Sequence, residues 1–121
     1  MKRFATPDEV GAVILQEDHG GVGHIIFRRL LESQDFQAHV DFIDFTIIPP
    51  QSIIGTHKHI QNEEAYLVVQ GNPLVSIDDE ENRLLPGSVA VVRSGQTHQL
   101  INDTQNDVSI FVVQVPITNH E

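Results

Sequence analysis

Cysteine is missing from all 121 residues. That removes disulfides, thiolate nucleophiles and cysteine-ligated zinc sites together, and it is compatible with a reducing compartment. Basic residues are scarce: seven Lys and Arg stand against 17 Asp and Glu, a formal net charge of -10. Nucleic acid and anionic membrane surfaces repel such a chain. The seven histidines would soften that repulsion below about pH 6.5. No apolar run approaches the ~20 residues of a membrane span. The N-terminus, Met1 to Glu9, turns acidic where a signal peptide would turn apolar, so a cytoplasmic location is expected. Also lacking are a Ser/His/Asp arrangement, a phosphate-cradling glycine loop and a basic cluster, which disfavours acyl transfer and nucleotide chemistry.

What remains is 40% hydrophobic and long enough for one core, so residues 1–121 read as a single folded domain. Thr6-Pro7-Asp8-Glu9 offers a threonine cap and proline at the first helical position, but Gly11 limits it to one short turn. Asp18 to Gly23 reads as a loop by its glycines, and His24–Leu31 as a strand. Short β-forming runs follow at 40–48, 65–70, 74–77, 83–85, 89–92, 97–101 and 108–115, separated by Pro, Gly and Asn. Asp78 to Asn82, five polar residues, reads as an exposed hairpin turn. Seven or eight strands with no long helical pattern predict an antiparallel sandwich or barrel, with no βαβ crossover.

Against this all-β background stand His57-Lys58-His59, Glu64 and His98. Side chains two apart on a strand face the same side. Both histidines of the triplet can therefore reach one ion without bending the backbone. Three imidazoles and a carboxylate are the ligand inventory of a transition-metal site and leave part of an octahedral sphere open.

The spacing of these residues resembles the cupin superfamily. Its first motif runs glycine, five residues, His-x-His, three or four residues, glutamate, six residues, glycine. Here it spans 51–71: His57, His59, Glu64 and Gly71 fit, and Gln51 replaces the leading glycine. In the second motif, at 87–102, Gly87, Gly95, His98 and Asn102 fit, and Arg93 stands where proline is usual. The resemblance implies a double-stranded β-helix, or jelly-roll, barrel. It implies one divalent transition metal (Fe, Mn, Ni, Zn, Co or Cu) on His57, His59, Glu64 and His98. It also implies a homodimer, with the His24–Leu31 strand a candidate for exchange between copies.

The distance to Gly71 and strand parity favour Glu64 over Glu63 as ligand. Tyr66 shares the parity of Glu64 and is expected in the core. Tyr66 and Glu63 are nevertheless the candidates for proton transfer. Asn102 is expected to be a turn residue. His19, His24, His39 and His120 are expected in loops or at the surface, with His24 the exception to watch. Arg28 and Arg29 call for an ion pair with Asp41 or Asp44, or more sharply for an anion. The chemistry expected is a dioxygenase with Fe(II), or an isomerase or lyase with another ion, acting on a small oxygenated acid, sugar or diketone. The contrasting expectation is a non-catalytic small-ligand or sensing protein.

Overall fold

A computed structural model describes residues 1–118; His120 lies outside the described residues. Ten strands carry the fold: Val13–Gln16 (β1), His24–Glu32 (β2), Phe42–Ile48 (β3), Ser52–Lys58 (β4), Asn62–Gln70 (β5), Leu74–Ile77 (β6), Glu80–Arg83 (β7), Val89–Val92 (β8), Thr97–Asn102 (β9) and Val108–Pro116 (β10). They form a six-stranded sheet in the order β1-β2-β3-β10-β5-β8 and a four-stranded sheet in the order β4-β9-β6-β7. All pairings within the sheets are antiparallel. The architecture is the jelly-roll barrel expected from the motifs.

Burial alternates along the strands as a half-buried sheet demands. On β9 every second residue is buried (His98, Leu100, Asn102), and on β5 Glu64, Tyr66 and Val68. Ile48, Val92, Val108 and Ile110 lose all solvent contact between the sheets. Polar residues at the same parity as core residues therefore point into the barrel, and that is how the site is delivered.

Some elements differ from the expected ones. The polar run 78–82 is not all turn. Asp78, at φ +52, and Asp79 make a two-residue hairpin loop, and Glu80 then pairs with Ile77. The strand so formed, β7, is an edge strand with all four residues exposed. No hydrophobic alternation marks such a strand, so composition reads it as loop. The short turn Pro7–Glu9 forms, but the Thr6 side chain makes no capping bond. β1 was not expected. It pairs with β2 and occupies the sheet edge, so the His24–Leu31 segment lies inside the sheet, between β1 and β3. Of the two arginines, Arg29 pairs with Asp44, its cross-strand partner, whereas Asp41 accepts from Gln114.

The loop between β1 and β2 is locked onto β4. Val22 and Ile53 exchange backbone hydrogen bonds at 3.1 and 2.8 Å. Gly21 and Gly55 make this approach possible. A Cβ on Gly21 would run into the Ile53 carbonyl oxygen, and one on Gly55 into the His19 carbonyl oxygen. Overfilling so tight a contact costs about 1–3 kcal/mol. Gly55→Ala should therefore lower stability in urea by about that amount. Gly11→Ala, where an added Cβ meets nothing within 4 Å, should be near neutral. Equal midpoints for the two variants would refute the clamp.

Candidate metal centre

The two sheets present complementary halves of one site. His57, near the end of β4, is the register partner of His98 on β9. His59 lies just past β4 and is tied to the same sheet edge, its N–H donating to Gln96 and its carbonyl accepting from Gly95. Glu64 and Tyr66 come from β5 of the opposite sheet. One ligand atom from each of His57, His59, Glu64 and His98 lies within 4.8 Å of all the others. His59, Glu64 and His98 are buried and His57 is partly so.

The outer ring nitrogens fix what the inner ones offer. His57 Nδ1 lies 3.1 Å from the Gly55 carbonyl oxygen, which only accepts, so Nδ1 carries the proton. His59 Nδ1 lies 2.6 Å from Asn62 Oδ1, while the Asn62 amide donates to the Ile60 carbonyl and so fixes which end faces the ring. Tyr66 donates its hydroxyl proton to Glu64 Oε1 at 2.5 Å. Its oxygen is then the acceptor for the one N–H of the neutral His98 ring. Nε2 of His57 and of His59 is thus left with a bare lone pair, whereas the Tyr66 oxygen lies 2.9 Å from His98 Nδ1 and 3.1 Å from His98 Nε2 and so touches both nitrogens of that ring.

Those lone pairs converge. His98 Nε2 is 2.9 Å from His59 Nε2 and 2.8 Å from His57 Nε2, and His59 Nε2 is 3.1 Å from Glu64 Oε1. Acceptors facing acceptors repel, and the single proton of a neutral His98 ring cannot serve both neighbouring lone pairs. A cation does satisfy it. Outer-ring bonds of this kind orient metal-binding histidines elsewhere, so the residues present fit a divalent ion.

The electrostatics agree. Burial, reinforced by the neighbouring His57 and His59, pushes His98 down to about 3, and burial also lowers His57. Both rings are therefore neutral near pH 7, and protons do not compete with a metal there. Burial raises the Glu64 carboxyl against the opposing pull of the Tyr66 hydrogen bond. Burial also raises the Tyr66 hydroxyl well above its ordinary value, with the Glu64 charge adding to it.

A cavity of about 180 Å³ opens beside the cluster. His57, Glu64, Tyr66 and His98 line it together with apolar residues such as Ile25 and Leu100. Comparison with known proteins supplies the family. A family model for the cupin domain matches residues 44–114. The chain belongs to the cupin family. This cupin is 24% identical over 94 residues to an oxalate-binding protein of Thermotoga maritima, covering 78% of each chain. Its fold superimposes on a crystal structure described as a predicted oxalate decarboxylase from Thermotoga maritima. The TM-score is 0.90 at 21% identity, over 95% of this chain and 100% of the other. The polyketide cyclase RemF from Streptomyces resistomycificus shares the fold at a TM-score of 0.78 and 20% identity, over 98% of this cupin and 81% of that chain.

Other expected positions resolve individually. Asn102 is fully buried but works on the chain: its amide donates to Ile48 and Asn106 carbonyls, and its oxygen accepts from Thr104. That is a turn clamp, as expected. Glu63 has the opposite parity to Glu64 and does not line the cavity. His39 is exposed, and His24 sits in β2 away from the cluster. His19 is an exposed loop residue, as expected, but it also belongs to the site. Its ring stacks on His57, centroids 3.8 Å apart and nearly parallel, and it lines the cavity. The sequence held one usable signal: Gly21 and Gly55 permit a close backbone approach that carries residue 19 to the site.

Proposed function

We propose that this cupin binds one divalent transition metal through Nε2 of His57, His59 and His98 and a carboxylate oxygen of Glu64. The reading is that it uses the ion on a small oxygenated acid held in the adjoining cavity. The observation that carries the reading is the convergence of three imidazole nitrogens on one point beside a carboxylate. A bound ion would supply oxygenase chemistry if it were Fe(II), or polarise a substrate carbonyl for isomerase or lyase chemistry if it were Mn, Ni, Zn, Co or Cu.

The chain's own part in the mechanism follows from its contacts. Gly55 and Asn62 keep two rings in the binding tautomer. Tyr66 orients Glu64 and, as the hydroxyl lining the cavity beside the cluster, is the group placed to hold a proton next to a substrate. The apolar part of the lining, Ile25, Leu100 and Val112 among it, strengthens charge interactions beside the cluster. Glu63 faces elsewhere and takes no part.

A second reading is favoured by one observation, the name of the Thermotoga maritima relative as an oxalate-binding protein. On that reading the same cavity and ion hold a small acid without turning it over. The two part on activity: product formation or oxygen uptake from oxalate and related acids supports the enzyme, and saturable binding with neither supports the binder.

Both readings require the metal. Protein purified without chelators should hold about one transition-metal ion per chain by elemental analysis, and His57→Ala and His98→Ala should each lose it. Parental metal content in both variants would overturn the assignment. We also propose a homodimer, because β1 exposes Val13, Ile14 and Leu15 at a sheet edge, a liability that pairing covers. Light scattering should give twice the chain mass; a value near 13.5 kDa would reject the dimer.

A further inference from the structure

Arg29 is the one Lys or Arg that lines the site cavity, in a chain whose other charged lining residues are carboxylates or histidines. On β2 it shares the inward face of Ile25 and Phe27, with the guanidinium carbon 4.0 Å from the centre of the Phe42 ring. Asp44 takes its side-on edge: Nε donates to Oδ1 at 2.9 Å and Nη2 to Oδ2 at 3.1 Å. That pairing consumes two of the five N–H groups. A guanidinium has a second fork, end-on, formed by Nη1 and the remaining proton of Nη2, and it matches a carboxylate equally well. The side chain is 42% exposed, so the second fork is open to a small molecule.

Strand register relates this fork to the metal centre. Arg29 pairs with Asp44, Asp44 with Val112, and Val112 with Tyr66. These four residues make one row across the sheet, and all of them line the cavity. Three strand steps separate its ends, roughly 14 Å of backbone if the sheet were flat. Long side chains lean inward from both ends, Arg29 from one and Tyr66 with its Glu64 contact from the other. Between them the floor is the short Val112. The space left suits a compact molecule with an oxygen function at each end.

We propose that Arg29 is the carboxylate seat of this cavity. Its end-on fork takes one carboxylate of a short organic di-acid whose other oxygens face the His57, His59, Glu64 and His98 cluster. Asp44 is a positioning residue that locks the guanidinium, and the Phe42 ring supports it from one face. The inference deepens the metal-dependent reading above and rests on it for the far end of the molecule. The plainer role for Arg29, an ion pair joining β2 to β3, would affect stability and leave acid binding unchanged.

Calorimetric titration of Mn(II)-loaded protein with oxalate, malonate, succinate and acetate separates the two. At least one di-acid should bind more tightly than acetate. Arg29→Gln should weaken that di-acid by about tenfold or more while keeping wild-type Mn(II) content. Because Arg29→Gln leaves Asp44 unpaired, Arg29→Gln/Asp44→Asn provides a charge-balanced check and should show the same loss. Asp44→Asn alone retains the guanidinium and should retain measurable binding. Unchanged di-acid affinity in both Arg29 variants would overturn the seat and leave the metal reading standing. Failure of the wild type to bind any of the di-acids would also overturn it. If purified protein held no transition metal, the metal reading would fall by itself. The seat would then be judged on metal-free protein, where Arg29-dependent di-acid binding upholds it and its absence rejects it.

Discussion

Three imidazole nitrogens, two of them held as bare lone pairs, are pressed to within about hydrogen-bonding distance inside the barrel. Left alone, this is an unfavourable arrangement of lone pairs in a buried setting, where unsatisfied polar groups cost most. It persists because each ring is held from behind, by the Gly55 carbonyl, the Asn62 side chain and the Tyr66 hydroxyl. The outer contacts thus set the chemistry of the inner ones. A site built this way has its ligand geometry in place before any ion arrives.

The barrel makes that pressure possible. His57, His59 and His98 belong to the four-stranded sheet and its margin, Glu64 and Tyr66 to the six-stranded one, so closing the two sheets also closes the site. The irregular register between Ile54 and His57 turns the end of β4 relative to its start. Bulges of this kind re-aim side chains beside functional sites. The cavity wall continues along one cross-strand row to Arg29 and Asp44. The His/Glu cluster and a guanidinium therefore line one cavity.

Much of this was legible in the amino-acid order, because it depends on parity. Two-residue periodicity placed His57 with His59 and Glu64 with Tyr66, and motif spacing brought in His98. Parity also separated Glu64 from Glu63, and the cavity lining agrees. What could not be read depends on contacts between segments far apart. The stacking of His19 on His57 follows from a glycine-to-glycine approach between the β1–β2 loop and β4. The choice of Asp44 over Asp41 as the partner of Arg29 is a matter of strand register. β7 covers Glu80–Arg83 and not the expected 83–85, because an exposed edge strand carries no apolar alternation to mark its start. Arg29 was visible as an oddity in a strand, but only the fold shows that it faces the cavity.

The protonation state of the three rings tests the account most directly. Long-range proton–nitrogen correlation spectra of the metal-free protein near neutral pH report which nitrogen of each histidine bears hydrogen. His57 and His59 should carry hydrogen on Nδ1 with Nε2 bare, and His98 should carry one proton only. A proton on Nε2 of His57 or His59, or a charged ring at position 57 or 98, would contradict the converging lone pairs from which the metal site is inferred.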